Sequence, residues 1–140
     1  MSESTSQKPI RDYKDLHVWQ KAMELAKRIY LLTGRFPPEE KFGLVSQMRR
    51  AAISVPSNIA EGYERTRPRE FHRFLCIAKA SCAELRTQLY IAADVGYITE
   101  EHLRELLDTA EEVGRVIGGL RATVARKANP THHSSLITHH

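Results

Sequence analysis

The chain has 140 residues, a formal net charge of +4, and 41% hydrophobic and 27% charged residues, values that fit one globular domain. Two cysteines exclude a disulfide-stapled scaffold, and seven glycines with six prolines are too few for an all-β chain rich in tight turns. No apolar run approaches the roughly 20 residues of a membrane-spanning helix, and the opening MSESTSQKPIRD lacks the apolar core of a secretory signal. The expectation is a cytoplasmic protein with no membrane partner.

Residues 1–11 are polar and aperiodic and read as a disordered N-terminal tail. A helix is expected from Leu16 to Leu32, with two apolar rows. Leu16, Trp19, Met23, Ala26 and Tyr30 form one; Val18, Ala22, Leu25, Ile29 and Leu32 form the other. At about 100° per residue the rows are centred roughly 120° apart. That is wider than one core requires, so Val18, Leu25, Ile29 and Leu32 are expected to meet another subunit. Gly34 and Phe36-Pro37-Pro38 end the segment.

The second helical pattern is Val45, Met48, Ala52, Val55, Ile59, with Pro56 inside it. Proline removes a donor and crowds the carbonyl four residues back, so a kink or short break is expected near Ser54–Ser57. Thr66-Arg67-Pro68 reads as a turn, and Pro68 opens a long third helix ending near Gly96. Thr99 caps a fourth helix whose core row is Leu103, Leu106, Ala110, Val113, Ile117, Leu120, Val124. Short connections between four helices predict an all-α, antiparallel up-down four-helix bundle over residues 12–126. Residues 127–140, with four histidines, read as a flexible C-terminal tail.

Catalytic constellations are missing from the pattern. No Glu-x-x-His pair, Cys-x-x-Cys, His-x-x-x-His or Gly-rich phosphate loop occurs. The expectation is therefore a protein with no catalytic residues, no metal and no cofactor.

Three features exceed the needs of a plain bundle. Gln47, Arg50, Ser54, Asn58, Glu61 and Arg65 share one helical face, as do Ser81, Glu84 and Gln88. They read as hydrogen-bond ladders between helices or subunits, or as solvated faces. Gly114, Gly118 and Ala122 recur every four residues, a stripe permitting close backbone approach, or a tolerated irregularity. Finally, Arg65, Arg67, Arg69 and Arg73 cluster around the second connection, with Arg49 and Arg50 on the second helix. Arginine's planar fork suits phosphate oxygens; the plainer alternative is pairing with Glu61, Glu64 and Glu70. Residues 66–98 carry five basic and three acidic residues, whereas 99–126 carry four and six. The first segment suits a polyanion and the second does not.

The stretches Asp15-Leu16-x-Val18-Trp19-Gln20-Lys21-Ala22, Phe42-Gly43-Leu44-x-x-Gln47-Met48-Arg49-Arg50-Ala51-Ala52-x-Ser54-Val55-Pro56-Ser57-Asn58-Ile59-Ala60-Glu61-Gly62 and Glu70-Phe71-x-Arg73-Phe74-Leu75 carry a resemblance. With Ser81-x-x-Glu84-Leu85-x-Thr87-Gln88-Leu89, the chain resembles, over about residues 12–124, bacterial four-helix-bundle proteins encoded in intervening sequences of 23S ribosomal RNA genes. The resemblance implies a ring-shaped homopentamer, kinship with the accessory variability protein of diversity-generating retroelements, and no catalytic residues. The expected function is a non-enzymatic homo-oligomer that binds RNA or DNA through Arg49, Arg50, Arg65, Arg67, Arg69 and Arg73. Its expected subunit contacts are Val18, Leu25, Ile29, Leu32, Gln47, Asn58, Glu61, Glu84, Gln88, Gly114 and Gly118. The alternative is a module that docks a protein partner such as a reverse transcriptase, without touching nucleic acid.

Overall fold

The computed structural model describes residues 9–128. Asp12 opens a short 3-10 turn, Tyr13–Asp15, by accepting from the Lys14 amide at 2.7 Å, while Asp15 accepts from the amides of Arg11 and Asp12. Helix α1 follows over His17–Thr33. A second 3-10 turn, Pro38–Glu40, leads to α2 over Leu44–Glu64. Helix α3 spans Pro68–Asp94 and α4 spans Glu100–Ala128. The described residues contain no strand.

Local chemistry sets these limits. Pro68 sits in the first turn of α3, where no amide donor is missed. Gly96 adopts φ +84°, letting its amide reach the Ala93 carbonyl and the Tyr97 amide reach Ala92, which closes the end of α3. Thr99 Oγ1 accepts from the His102 amide at 3.0 Å and caps α4. Of the kink or short break expected near Ser54–Ser57, the break does not form: α2 is continuous through Pro56. Val55, Pro56 and Ile59 are all buried there, so packing holds the helix across the lost hydrogen bond.

Helix α1 packs on α2 and α4, and α3 packs on α2 and α4, leaving α1 and α3 on a diagonal. Ion pairs Lys21–Glu112 and Arg28–Glu105, both 3.5 Å, run α1 and α4 in opposite directions. The fold is an antiparallel up-down four-helix bundle. Its core takes the expected rows of α2, α3 and α4, including Met48, Ile59, Leu75, Leu85, Leu89, Val113 and Ile117, each with no exposed surface. Lys127 and Ala128 continue α4 past the expected boundary at 126, and residues 9–11 of the expected N-terminal tail lead into the first turn; residues 1–8 and 129–140 lie outside the described residues.

Helix α1 corrects one expectation. Val18 is 3% exposed and Leu25 and Ile29 are 0% exposed, all inside one chain, so they present no surface to a second subunit. Leu32 is half-buried against the same core. The exposed residues belong to the other row: Met23 and Tyr30 are each 41% exposed, while Ala26 is buried and Leu16 and Trp19 are half-buried against the core. The physical reason lies in the side chains. The aliphatic row faces the core shared with α2 and α4, while the row with Trp, Met and Tyr tolerates a wet boundary.

Candidate nucleic-acid interface

The six arginines do not form one site. Arg49 and Arg50 lie near the start of α2, about 22 Å along the helix from Arg65. Arg49 is held by its own chain. Its Nε donates to Thr33 Oγ1 at 2.9 Å, its Nη2 to the Tyr30 carbonyl at 3.1 Å, and its guanidinium lies 4.3 Å from the Tyr30 ring centre. Thr33, 2% exposed, donates in turn to the Ile29 carbonyl. Arg49 is thus a clamp on the end of α1 and leaves the candidate site. Arg50 is exposed.

Arg65, Arg67, Arg69 and Arg73 do gather at one end of the bundle. Arg65 pairs with Glu61 at 3.1 Å and Glu70 at 3.6 Å, as the plainer alternative anticipated, and with Arg73 it flanks the Phe74 ring. Arg67 and Arg69 are exposed and have no carboxylate partner among the described ion pairs.

The fold brings a further segment to this end. Because α4 runs antiparallel to α3, its last half lies beside the α2–α3 connection; Arg121 Nη1 donates to Cys76 Sγ at 3.5 Å across that interface. Residues 115–128 contain four basic residues and no acidic one. This qualifies the reading of 99–126 as unsuited to a polyanion: its acidic residues all lie between 100 and 112, in the first half of α4, and Glu112 reaches Lys21. The end built from residues 9–24, 55–80 and 112–128 carries twelve Lys and Arg against seven Asp and Glu. The remaining described residues carry eight against nine.

A cleft of about 440 Å³ opens at the basic end. Leu16, Tyr63, Phe71, Leu120 and Val124 form its apolar walls, and Thr66, Arg67, Thr123 and Lys127 its polar rim, with no carboxylate among the lining residues. Thr66 adopts φ +63°, a costly conformation for a β-branched residue, at the tight turn beside Arg67. Gly62 forms part of the floor, where α2 and α3 come so close that a Cβ would lie 2.7 Å from Phe74 Cβ. The sequence reading missed Lys127, assigned to a tail, and the cleft walls. The available signal was the split of α4 into an acidic first half and a basic second half.

The expected subunit contacts fall in different places. Asn58 Nδ2 donates to Ser54 O at 2.8 Å and Oγ at 2.9 Å, and Ser54 Oγ lies 2.7 Å from Ser81 Oγ, so this ladder joins α2 to α3 within one chain. Gln88 is buried, with Nε2 3.4 Å from Glu84 and its Oε1 unpartnered. Gln47, Glu61 and Glu84 are exposed. Within the chain Gly114 and Gly118 serve no close helix approach: a Cβ at Gly114 would meet nothing within 4 Å, and one at Gly118 only Lys79 Nζ at 3.8 Å.

An apolar groove of about 540 Å³ runs between α1 and α2, lined by Trp19, Met23, Tyr30, Ile53 and Pro56, with Lys27 its single charged residue. Ile53 is 42% exposed, and Phe42 beside the adjoining hollow is 88% exposed.

At the opposite end of the bundle, Tyr97 pins the α1–α2 connection to the end of α3. Tyr97 donates to Glu40 at 2.7 Å and its ring lies 5.2 Å from that of Phe36. The hydrogen bonds from Tyr97 and the Leu44 amide hold the Glu40 carboxyl below the usual range, and the same bond to Glu40 raises the Tyr97 hydroxyl. Burial pushes the Cys82 thiol up to about 11, against the weaker pull of Arg86 and Lys79. No three His, Cys, Asp or Glu side chains group as metal ligands among the described residues, and no described helix is long and apolar enough to cross a membrane.

With this geometry in place, the comparisons with known proteins locate the chain. No curated protein matches it. A solved structure does: a protein of unknown function from the S23 ribosomal protein family of Bacteroides thetaiotaomicron is 25% identical, with a TM-score of 0.70, over 75% of this chain and 95% of that one. The family of 23S rRNA-intervening sequence proteins matches residues 14–119, nearly the whole bundle. The chain belongs to that family.

Proposed function

We propose that this protein is a non-enzymatic, nucleic-acid-binding homo-oligomer that engages RNA or DNA at the basic end of the bundle. One observation carries the reading: basic residues gather toward one end of the bundle, with twelve Lys and Arg against seven Asp and Glu at the end that bears the cleft. Arg67, Arg69, Arg126 and Lys127 are exposed there, on three different segments, and arginine and lysine at such spacing neutralise phosphates. The expected set therefore keeps Arg67 and Arg69, with exposed Arg73 and the ion-paired Arg65 beside the same turn, and gains Arg126 and Lys127.

Self-association is assigned to the exposed α1–α2 face around Met23, Tyr30 and Ile53, and the family resemblance favours a pentamer. A ring would repeat the basic end once per subunit and multiply phosphate contacts. The same apolar groove supports a second reading, a docking site for a protein partner.

Fluorescence anisotropy with labelled RNA tests the first reading. Four phosphate contacts on a single strand give a log–log salt slope near −3, so affinity falls roughly 50-fold between about 50 and 200 mM salt. Arg67→Ala with Lys127→Ala flattens that slope, while Arg49→Ala leaves it alone. Binding that ignores salt, or none at low salt, refutes the reading. A partner that survives nuclease treatment in a pull-down favours the second.

A further inference from the structure

The cleft at the basic end has more apolar wall than phosphate contacts use. Tyr63 and Phe71 stand with ring centres 6.0 Å apart and planes at 87°, and Leu16, Leu120 and Val124 complete the enclosure. Its volume of about 440 Å³ lies within the range of small-ligand sites. The rim carries Arg67 and Lys127 and no carboxylate, so an anion meets attraction and no local repulsion. Both rim hydroxyls donate within their own chain, Thr66 to the Arg65 carbonyl and Thr123 to the Gly119 carbonyl; Thr123 also accepts from Arg126 at 3.4 Å, so Thr66 keeps two lone pairs and Thr123 one for a donor in the cleft.

An apolar cavity with ring faces or edges, a cationic rim and hydroxyl acceptors is complementary to a nucleobase still attached to its phosphates. A duplex keeps its bases stacked and offers its backbone and groove edges. A single strand turns a base out at far lower cost and stacks it on protein side chains. We propose that the cleft between the α2–α3 turn and the end of α4 takes one unstacked base of a single-stranded nucleic acid, with Arg67 and Lys127 on the flanking phosphates. This rests on the nucleic-acid reading above and adds to it a strand preference.

The test uses the full chain and three probes at matched salt: a short single-stranded oligonucleotide carrying 2-aminopurine, its duplex, and inorganic polyphosphate. The single strand is expected to bind at least about fivefold tighter than the duplex, the lower bound for one stacked base. The 2-aminopurine fluorescence changes on binding in the single strand and not in the duplex. Thr123→Trp, which fills the cleft from a helix surface, removes both the preference and the fluorescence change and preserves the salt slope. Tyr63→Leu, which keeps apolar volume but deletes the ring, lowers the preference independently, and circular dichroism confirms that both variants fold. If all three probes bind equally and the fluorescence is unchanged, base insertion is overturned while the electrostatic reading stands. If nothing binds at low salt, the nucleic-acid reading falls first.

Discussion

Replacing Gly62 by alanine puts a sharp number on the packing of α2 against α3. The new Cβ would lie 2.7 Å from Phe74 Cβ, 3.0 Å from Phe71 Cδ1 and 3.4 Å from the Phe71 carbonyl oxygen. Carbon atoms prefer about 3.5–4.0 Å, so the shortfall at Phe74 is about 1 Å. Phe74 Cβ is tied to the backbone of α3 and cannot swing aside, so the two helices must separate. Overpacking of this kind costs about 1–3 kcal/mol, and a backbone-anchored clash belongs at the upper end. Alanine recovers about 1 kcal/mol of helix propensity. The net expectation is destabilisation by about 2 kcal/mol, or a melting temperature lower by roughly 8 °C for a chain of this size. Gly119→Ala is the matched control: its Cβ meets nothing within 4 Å, so propensity alone acts and stability rises by about 1 kcal/mol. Urea unfolding followed by far-ultraviolet circular dichroism reads both. If Gly62→Ala proves as stable as Gly119→Ala, the close approach of α2 and α3 is refuted.

Other outcomes follow from the same structure. Thr66→Gly releases a β-branched residue from φ +63° and raises stability by about 1 kcal/mol, measured by thermal melting. Tyr97→Phe flattens the pH dependence of stability at both extremes. Glu40, held low, contributes above its unfolded value and loses that contribution as pH falls through its folded one; Tyr97, held high, contributes below its unfolded value and loses it as pH rises through its folded one. Denaturation midpoints across pH, compared with the wild type, check both limbs. Thiol labelling of the native protein near pH 8 modifies half-buried Cys76 first, because Cys82 is buried with its thiol pushed up to about 11; mass spectrometry of the labelled peptides reads the order.

Much of this protein is written in the spacing of its residues. Three- and four-residue apolar steps set the helices and the core rows of α2, α3 and α4, because helical geometry places those residues on one face whatever the neighbours are. Pro68, Gly96 and Thr99 punctuate the chain through local backbone chemistry alone. Counting apolar residues also revealed that α1 has more greasy surface than a core absorbs. Which row faces inward was not decidable there, since both rows repeat with the same period. Packing chose the aliphatic Val18–Leu25–Ile29 row and left Met23 and Tyr30 outside. Likewise, Arg49 and Arg67 look alike in a string of letters. Only the return of α1 beside α2 turns the first into an internal clamp, and only the antiparallel return of α4 sets Lys127 beside the second. Periodicity is a property of one helix and is legible along the chain; a cleft joins residues more than a hundred positions apart, from Leu16 to Lys127, and exists only once four helices have been placed side by side.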